Sequence, residues 1–233
     1  MRILGLIGGM SWESTAVYYR LINEATKARL GGLHSARMLL WSFDFAPIAE
    51  HQADGAWGHL ATAMVDAARR LANAGADVLI ICSNTMHKLY EDVQASVAIP
   101  VLHIADVTAA AMAKKGWRNP ILLATRFTME QPFYRGRLLD VHGVRAMVPD
   151  EAGRSVVHGI IYDELCQGIV RPESKGAYLA EVAKLSRQGA DSVIFGCTEV
   201  GMLIGQHDVN LPVFDTTKIH ATAAVDVDYA IGC

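Results

Sequence analysis

The chain contains the same short passage twice. Gly75-Ala76-Asp77 leads into the apolar run Val78-Leu79-Ile80-Ile81-Cys82 and ends on Ser83-Asn84-Thr85. Gly189-Ala190-Asp191 leads into Ser192-Val193-Ile194-Phe195-Gly196 and ends on Cys197-Thr198-Glu199. The offset between Ser83 and Cys197 is 114, and no gap interrupts the passage. Other echoes keep the same order. Ile3-Leu4 followed by Tyr19-Arg20 matches Ile121-Leu122 followed by Tyr134-Arg135, and Ile99-Pro100-Val101 matches Leu211-Pro212-Val213. Self-similarity of this kind requires two halves that fold alike.

Each half is built from apolar runs with strand character: 3–7, 38–43, 77–82, 100–104, 120–125, 192–197 and 212–215. They lack polar alternation, as strands covered on both faces do. Helical stretches separate them at 14–30, 56–74, 90–97, 107–115, 133–142, 156–167 and 174–188. Strand–helix alternation predicts an α/β fold of two similar lobes with parallel sheets, related by a pseudo-twofold internal repeat. Residues 1–104 with about 214–233 form the N-terminal lobe and 105–213 the second; the last apolar segment returns to the first lobe.

Composition narrows the function. The chain has 233 residues, of which 52% are hydrophobic and 19% charged, so a sizeable core is available. A net charge of −3 without a basic block argues against nucleic acid and anionic membranes as partners. No apolar run approaches the roughly 20 residues a membrane span needs. MRILGLIGG enters a strand directly, without the layout of a signal peptide, and the expected location is cytoplasmic. The cysteines, Cys82, Cys166, Cys197 and Cys233, show neither CxxC pairing nor zinc-ligand spacing. GLIGGM is not a dinucleotide fingerprint, and no phosphate-binding P-loop occurs.

The repeat points to the chemistry. Open α/β sheets bind ligands beyond the carboxyl ends of their strands. Two such lobes facing one another make an interlobe cleft, the expected active site, in which Ser83 and Cys197 approach one ligand from opposite sides. Asn84-Thr85 and Thr198-Glu199 follow as candidate helix starts. Free N–H groups there favour an anion and are expected to lower the pKa of a neighbouring thiol. At the other strand ends stand GGMSWEST (8–15) and TRFTMEQ (125–131). Ser11 fits an N-cap, Thr128 with Gln131 fits a capping box, and Arg126 offers a cation for a carboxylate. Facing proton-transfer groups suit removal of a proton beside a carboxylate and its return from the other face. A single reactive cysteine suits decarboxylation followed by reprotonation.

GGMSWEST, SNTMH, TRFTMEQ-FYRG and GCTE resemble the aspartate/glutamate racemase family, on its aspartate-racemase side. The resemblance spans nearly the whole chain. It implies two α/β lobes, a small acidic amino acid as substrate, no pyridoxal phosphate or other cofactor, no metal, a homodimer, and two catalytic cysteines acting as opposed bases. Cys197 matches the second cysteine. Ser83 stands where the first belongs, since the family's Cys-Asn-Thr is here Ser83-Asn84-Thr85. A basic residue near Cys166 and an arginine near Pro47-Ile48, both typical of aspartate racemases, are missing. Carboxylate binding then falls to Arg126 and the strand-end amides.

Cys197 and Ser83 are thus the candidate catalytic pair. Met10, Ser11, Gln52, Asn84, Thr85, Thr125, Arg126, Thr128, Thr198 and Glu199 form the candidate substrate-binding set, although Met10, like Trp12 and Trp41, is also a common core residue. His87, one helical turn beyond Ser83, is a candidate supporting residue. Cys82 alternates with Ser83 along the strand, and its repeat partner is Gly196, so packing explains it. The expected activity is racemization of aspartate, glutamate or a similar amino acid, asymmetric because a hydroxyl replaces one thiol. The alternatives are a single-cysteine decarboxylase or isomerase of the same superfamily and an amino-acid-binding relative without chemistry.

Overall fold

A computed structural model describes residues 2–230 of the chain. The chain divides into two compact units, 1–103 with 220–233 and 104–219.

The first unit runs β1 (Ile3–Gly8), α1 (Trp12–Leu30), β2 (Arg37–Ser42), α2 (Phe45–Ala53), α3 (Trp57–Asn73), β3 (Val78–Ile81), a 3-10 turn (Thr85–Leu89), α4 (Tyr90–Ala95) and β4 (Val101–Leu102). Its strands pair in the order β2-β1-β3-β4, all parallel. The second runs α5 (Ile104–Ala113), β5 (Pro120–Ala124), α6 (Arg126–Glu130), α7 (Pro132–His142), α8 (Glu151–Asp163), α9 (Pro172–Ser186), β6 (Ser192–Gly196), α10 (Val200–Leu203) and β7 (Val213–Asp215), and leads into α11 (Thr216–Ala230). Its sheet, β5-β6-β7, is also parallel, with a further bridge between Ile121 and Met147. The α/β class and the parallel sheets agree with the sequence.

Apart from the edge strand β2, none of whose residues is buried, the strands are covered on both faces, which is why they read as unbroken apolar runs. In the first sheet Ile7, Leu79 and Ile81 pack with Leu60, Met64 and Leu71 of α3. On the opposite face Leu4, Leu6, Ile80 and Cys82 meet Tyr18 and Ile22 of α1 and Ala221 and Val225 of α11. Every residue of β5 and β6 is buried. Each large side chain buried this way contributes roughly 1.5–3 kcal/mol.

The repeat is written into the hydrogen bonds. Gly75 and Gly189 take left-handed φ values of 96° and 97° after α3 and α9, a conformation glycine adopts without a Cβ penalty. The Asp77 carboxylate accepts the Ile3 N–H at 2.6 Å; that of Asp191 accepts the Arg118 and Asn119 N–H groups, both at 2.8 Å. Each aspartate thereby starts the strand beside its own. Further on, Gln94 accepts from the Val101 N–H (2.8 Å) and donates to the Ile99 carbonyl (3.2 Å). Gln206 repeats this with Val213 (2.9 Å) and Leu211 (3.1 Å). The offset has fallen from 114 to 112, so two residues are lost between the strand end and this clip.

Three short helices escape the sequence pattern: α2, α6 and α10. Helix α2 carries Pro47 in its first turn, where a missing N–H costs no intrahelical bond, and Asp44 caps it by accepting the Ala46 N–H at 3.3 Å. Helix α8 starts earlier than the apolar spacing indicates, because Asp150 caps it through the Gly153 N–H at 3.0 Å. Trp12 is not a core residue; it is exposed on the first turn of α1. Among the described residues, no helix is long and apolar enough to cross a membrane.

Candidate active site

In the first unit the site residues gather at the carboxyl end of the sheet. The backbone turns sharply after β1: Gly9 has φ 79°, and a Cβ there would lie 2.2 Å from the Phe43 carbonyl oxygen. Thr15 Oγ1 accepts the Gly9 N–H at 2.8 Å and donates to the Ser11 carbonyl at 3.0 Å. Ser11 caps α1 as expected, accepting the Ser14 N–H at 3.3 Å. Met10 and Ser11 are both buried.

Ser83 follows β3 and is partly exposed. Its hydroxyl accepts the Met86 N–H at 3.4 Å, and its carbonyl accepts from His87 Nδ1 at 2.7 Å. Asn84 and Thr85 are buried beside it. Gln52 is buried on α2 and donates to Met86 Sδ at 3.1 Å, so it is tied to the same turn. Cys82 is fully buried in the layer of Tyr18 and Ile22, and burial pushes its thiol up. It is a packing residue.

In the second unit Cys197 follows β6 and is partly exposed. Its thiol donates to Glu199 Oε2 at 2.8 Å, and the Val200 N–H reaches back to the Cys197 carbonyl at 3.2 Å. Val200 holds the repeat position of Met86. The environment raises the thiol pKa well above its ordinary value. Burial is the largest cause, followed by the Glu199 carboxylate and Cys166. This reverses the effect expected from a helix start: α10 has only four residues, and an acidic side chain stands against the sulfur. Glu199, read from the sequence as a substrate contact, is bonded to the thiol and only 4% exposed. Thr198, between them, is partly exposed.

After β5, Thr125 rather than Thr128 is the helix cap. Thr125 Oγ1 accepts the Thr128 N–H at 3.4 Å, and the two hydroxyls lie 3.2 Å apart. The capping box with Gln131 does not form, because Gln131 lies at the far end of α6; it occupies the N-cap position of α7 without a side-chain capping bond. Thr128 is fully buried. Arg126 is exposed, and its N–H donates to His158 Nδ1 at 3.3 Å. Among the described residues, no group of three or more His, Cys, Asp and Glu side chains is placed to hold a metal. Cys166 is partly buried; Cys233 lies outside the described residues.

The sequence profile of Asp/Glu/hydantoin racemases matches residues 7–224. The chain belongs to that family. A structure from Yersinia pestis, provisionally named an Asp/Glu racemase, is 51% identical, with a TM-score of 0.92 over 98% of this chain and 100% of that one. An aspartate racemase homologue from Pyrococcus horikoshii OT3 is 30% identical, with a TM-score of 0.84 over the same shares. The broad specificity amino-acid racemase RacX of Bacillus subtilis (strain 168) is 21% identical over 96% of each chain.

For a racemase-family chain, the sequence reading overlooked one set of residues. The rings of His158 and Tyr162 on α8 pack with centroids 4.8 Å apart and planes tilted by 55°. Burial, then the charges of Cys197, Cys166 and Glu199, push the Tyr162 phenol up, and the same groups act on Tyr178. Burial and Arg126 pull His158 down. The spacing 158, 162, 166 in a helical stretch was the available signal, since residues four apart share a face.

Proposed function

We propose that the protein is a cofactor-independent racemase of small acidic amino acids such as aspartate or glutamate. The family match and the likeness to a named amino-acid racemase support this reading. The observation that carries the reading is the Cys197–Glu199 contact of 2.8 Å at the strand end that repeats Ser83.

A thiol with a raised pKa rests protonated. For it to act as a base its proton must move, and the Glu199 carboxylate is the acceptor in contact with it. The thiolate then takes the substrate α-proton. The Cα–H bond breaks, its electron pair passes into the carboxylate as an enediolate, and the Ser83 hydroxyl, resupplied from solvent, returns a proton on the opposite face to give the other enantiomer. The reading requires that one substrate meet both Ser83 and Cys197, from opposite sides of its α-carbon. The Ser83 hydroxyl is a far weaker acid than a thiol but can donate a hydrogen bond. Asn84, Thr85, Thr125, Thr198 and Arg126 hold the substrate's charged groups, Met10 and Ser11 supply loop contacts, and Thr128 and Gln52 act through the turns they brace. The homodimer implied by the resemblance belongs to the same proposal.

Incubating each enantiomer of aspartate and glutamate in D2O, with NMR and chiral analysis, tests it. The expected result is deuterium uptake at Cα, faster than inversion. Absence of both for all four compounds overturns it. The lone thiol of the repeat pair also fits decarboxylation, and CO2 release from a substituted malonate without exchange of any amino acid would favour that reading.

A further inference from the structure

A buried histidine cluster lies behind Ser83 in the first unit. His87 packs on His103 with ring centroids 4.8 Å apart and stands edge-on to His220 at 5.6 Å. Tyr90 closes on His103 at 4.5 Å. All three histidines are nearly or wholly buried. The protons of His220 follow from its partners. A carbonyl can only accept, so Nε2 donates to Leu102 O at 3.0 Å, and Nδ1 accepts from the Tyr18 hydroxyl at 2.9 Å. The ring that flanks His87 is therefore itself fixed.

His87 also faces a carbonyl. Its Nδ1 must donate to Ser83 O, at 2.7 Å. The local backbone explains why a side chain is needed. Residues 85–89 form a 3-10 turn, in which the His87 N–H bonds the Asn84 carbonyl, three residues back. In an α-helix that N–H would have reached Ser83 O. The Met86 N–H goes instead to the Ser83 hydroxyl. The imidazole thus serves the Ser83 carbonyl while the turn holds the hydroxyl. With its proton given to the carbonyl, Nδ1 has no lone pair left to take the Ser83 hydroxyl proton.

We infer that His87 is the positioning residue of the Ser83 half of the site, setting the direction of the residue-83 side chain through its carbonyl. The inference rests on the racemase reading and assigns His87 no contact with substrate. Its effect falls on the proton transfer that Ser83 serves and spares the one that Cys197 serves.

The test compares His87→Phe, which keeps a ring in the cluster without the donor, with His87→Asn, whose amide carries a donor near the Nδ1 position. His87→Phe is expected to slow inversion about tenfold or more, with deuterium uptake from the enantiomer served by Cys197 falling less than about twofold. His87→Asn is expected to recover at least half of the loss. Equal loss of both half-reactions, or inversion at the parent rate in His87→Phe, overturns the inference. A readout independent of turnover separates this from failure of the racemase reading. In a Ser83→Cys background, iodoacetamide labelling of the introduced thiol, followed by peptide mass mapping, is expected to change severalfold with His87→Phe and return with His87→Asn. An unchanged labelling rate overturns the inference whatever the reaction is. If His87→Phe fails to fold, His87→Leu, which is apolar and has no donor, takes its place under the same criteria.

Discussion

The thiol of Cys197 donates to Glu199 Oε2 across 2.8 Å, and burial and that carboxylate together hold it in the protonated form. A base that rests protonated needs an exit for its proton, so Glu199 both suppresses the thiolate and offers the route to it. Glu199→Gln separates the two effects. Removing the negative charge lowers the thiol pKa, so iodoacetamide labelling of Cys197 at pH 8 should rise at least about threefold. Turnover should fall on the order of a hundredfold as the acceptor is lost. Unchanged labelling would remove Glu199 from this role. In the unsubstituted protein, labelling should keep rising into the alkaline range beyond that of an ordinary thiol.

Replacing the hydroxyl by a thiol should restore symmetry. Ser83→Cys is expected to speed inversion by about tenfold or more, because a thiol cycles protons where a serine hydroxyl does so poorly. Cys197→Ala should abolish deuterium uptake from the enantiomer that Cys197 serves. The assignment of the pair fails if Cys197→Ala still exchanges that α-proton.

The histidine cluster predicts an acid limb in stability. Burial and the neighbouring His87 pull the fully buried His220 down to about 3. The folded state therefore favours the neutral ring, whereas the unfolded chain protonates it near pH 6.5. Its contribution is complete above pH 6.5 and is lost as pH falls, by about 1.4 kcal/mol per pH unit between those values. Urea melts at pH 7 and 5.5 should show the loss, and His220→Phe should flatten it. An acid limb unaltered by His220→Phe would locate the effect elsewhere.

Gly196 holds the position of Cys82 in the repeat, but its surroundings differ. A Cβ on Gly196 would lie 2.8 Å from Leu122 Cδ1 and 2.9 Å from Ala124 Cβ. Gly196→Ala should cost about 1–3 kcal/mol through overpacking and displace the residue that follows, Cys197. Thermal melting and turnover measured together would check this. A variant with native stability and native turnover would show that the strand end relaxes freely.

Much of this architecture can be read from the chain alone. The strands were legible because parallel strands covered on both faces must be apolar throughout, and Ser83 and Cys197 were matched because the repeat is ungapped there. Helix α2 was not legible, since its start rests on Asp44 and its first turn hides a proline. The role of Glu199 was not either. Its carboxylate meets a sulfur two residues back only because the chain turns just after β6, and hydropathy carries no trace of such a turn. The thiol shift went the wrong way because burial first, and then the carboxylate in contact, outweigh a helix of only four residues. The cap after β5 was misplaced by three residues, between two threonines equally suited to it.

The glutamine clips have a consequence beyond local order. β4 and β7 are the last strands of their sheets, and a sheet margin invites another chain to join it. Gln94 and Gln206 each offer the strand beside them one acceptor and one donor, as a neighbouring strand would. Each amide is in effect a strand one residue long. By occupying the margin itself, the chain withholds at two points the template on which copies could polymerise.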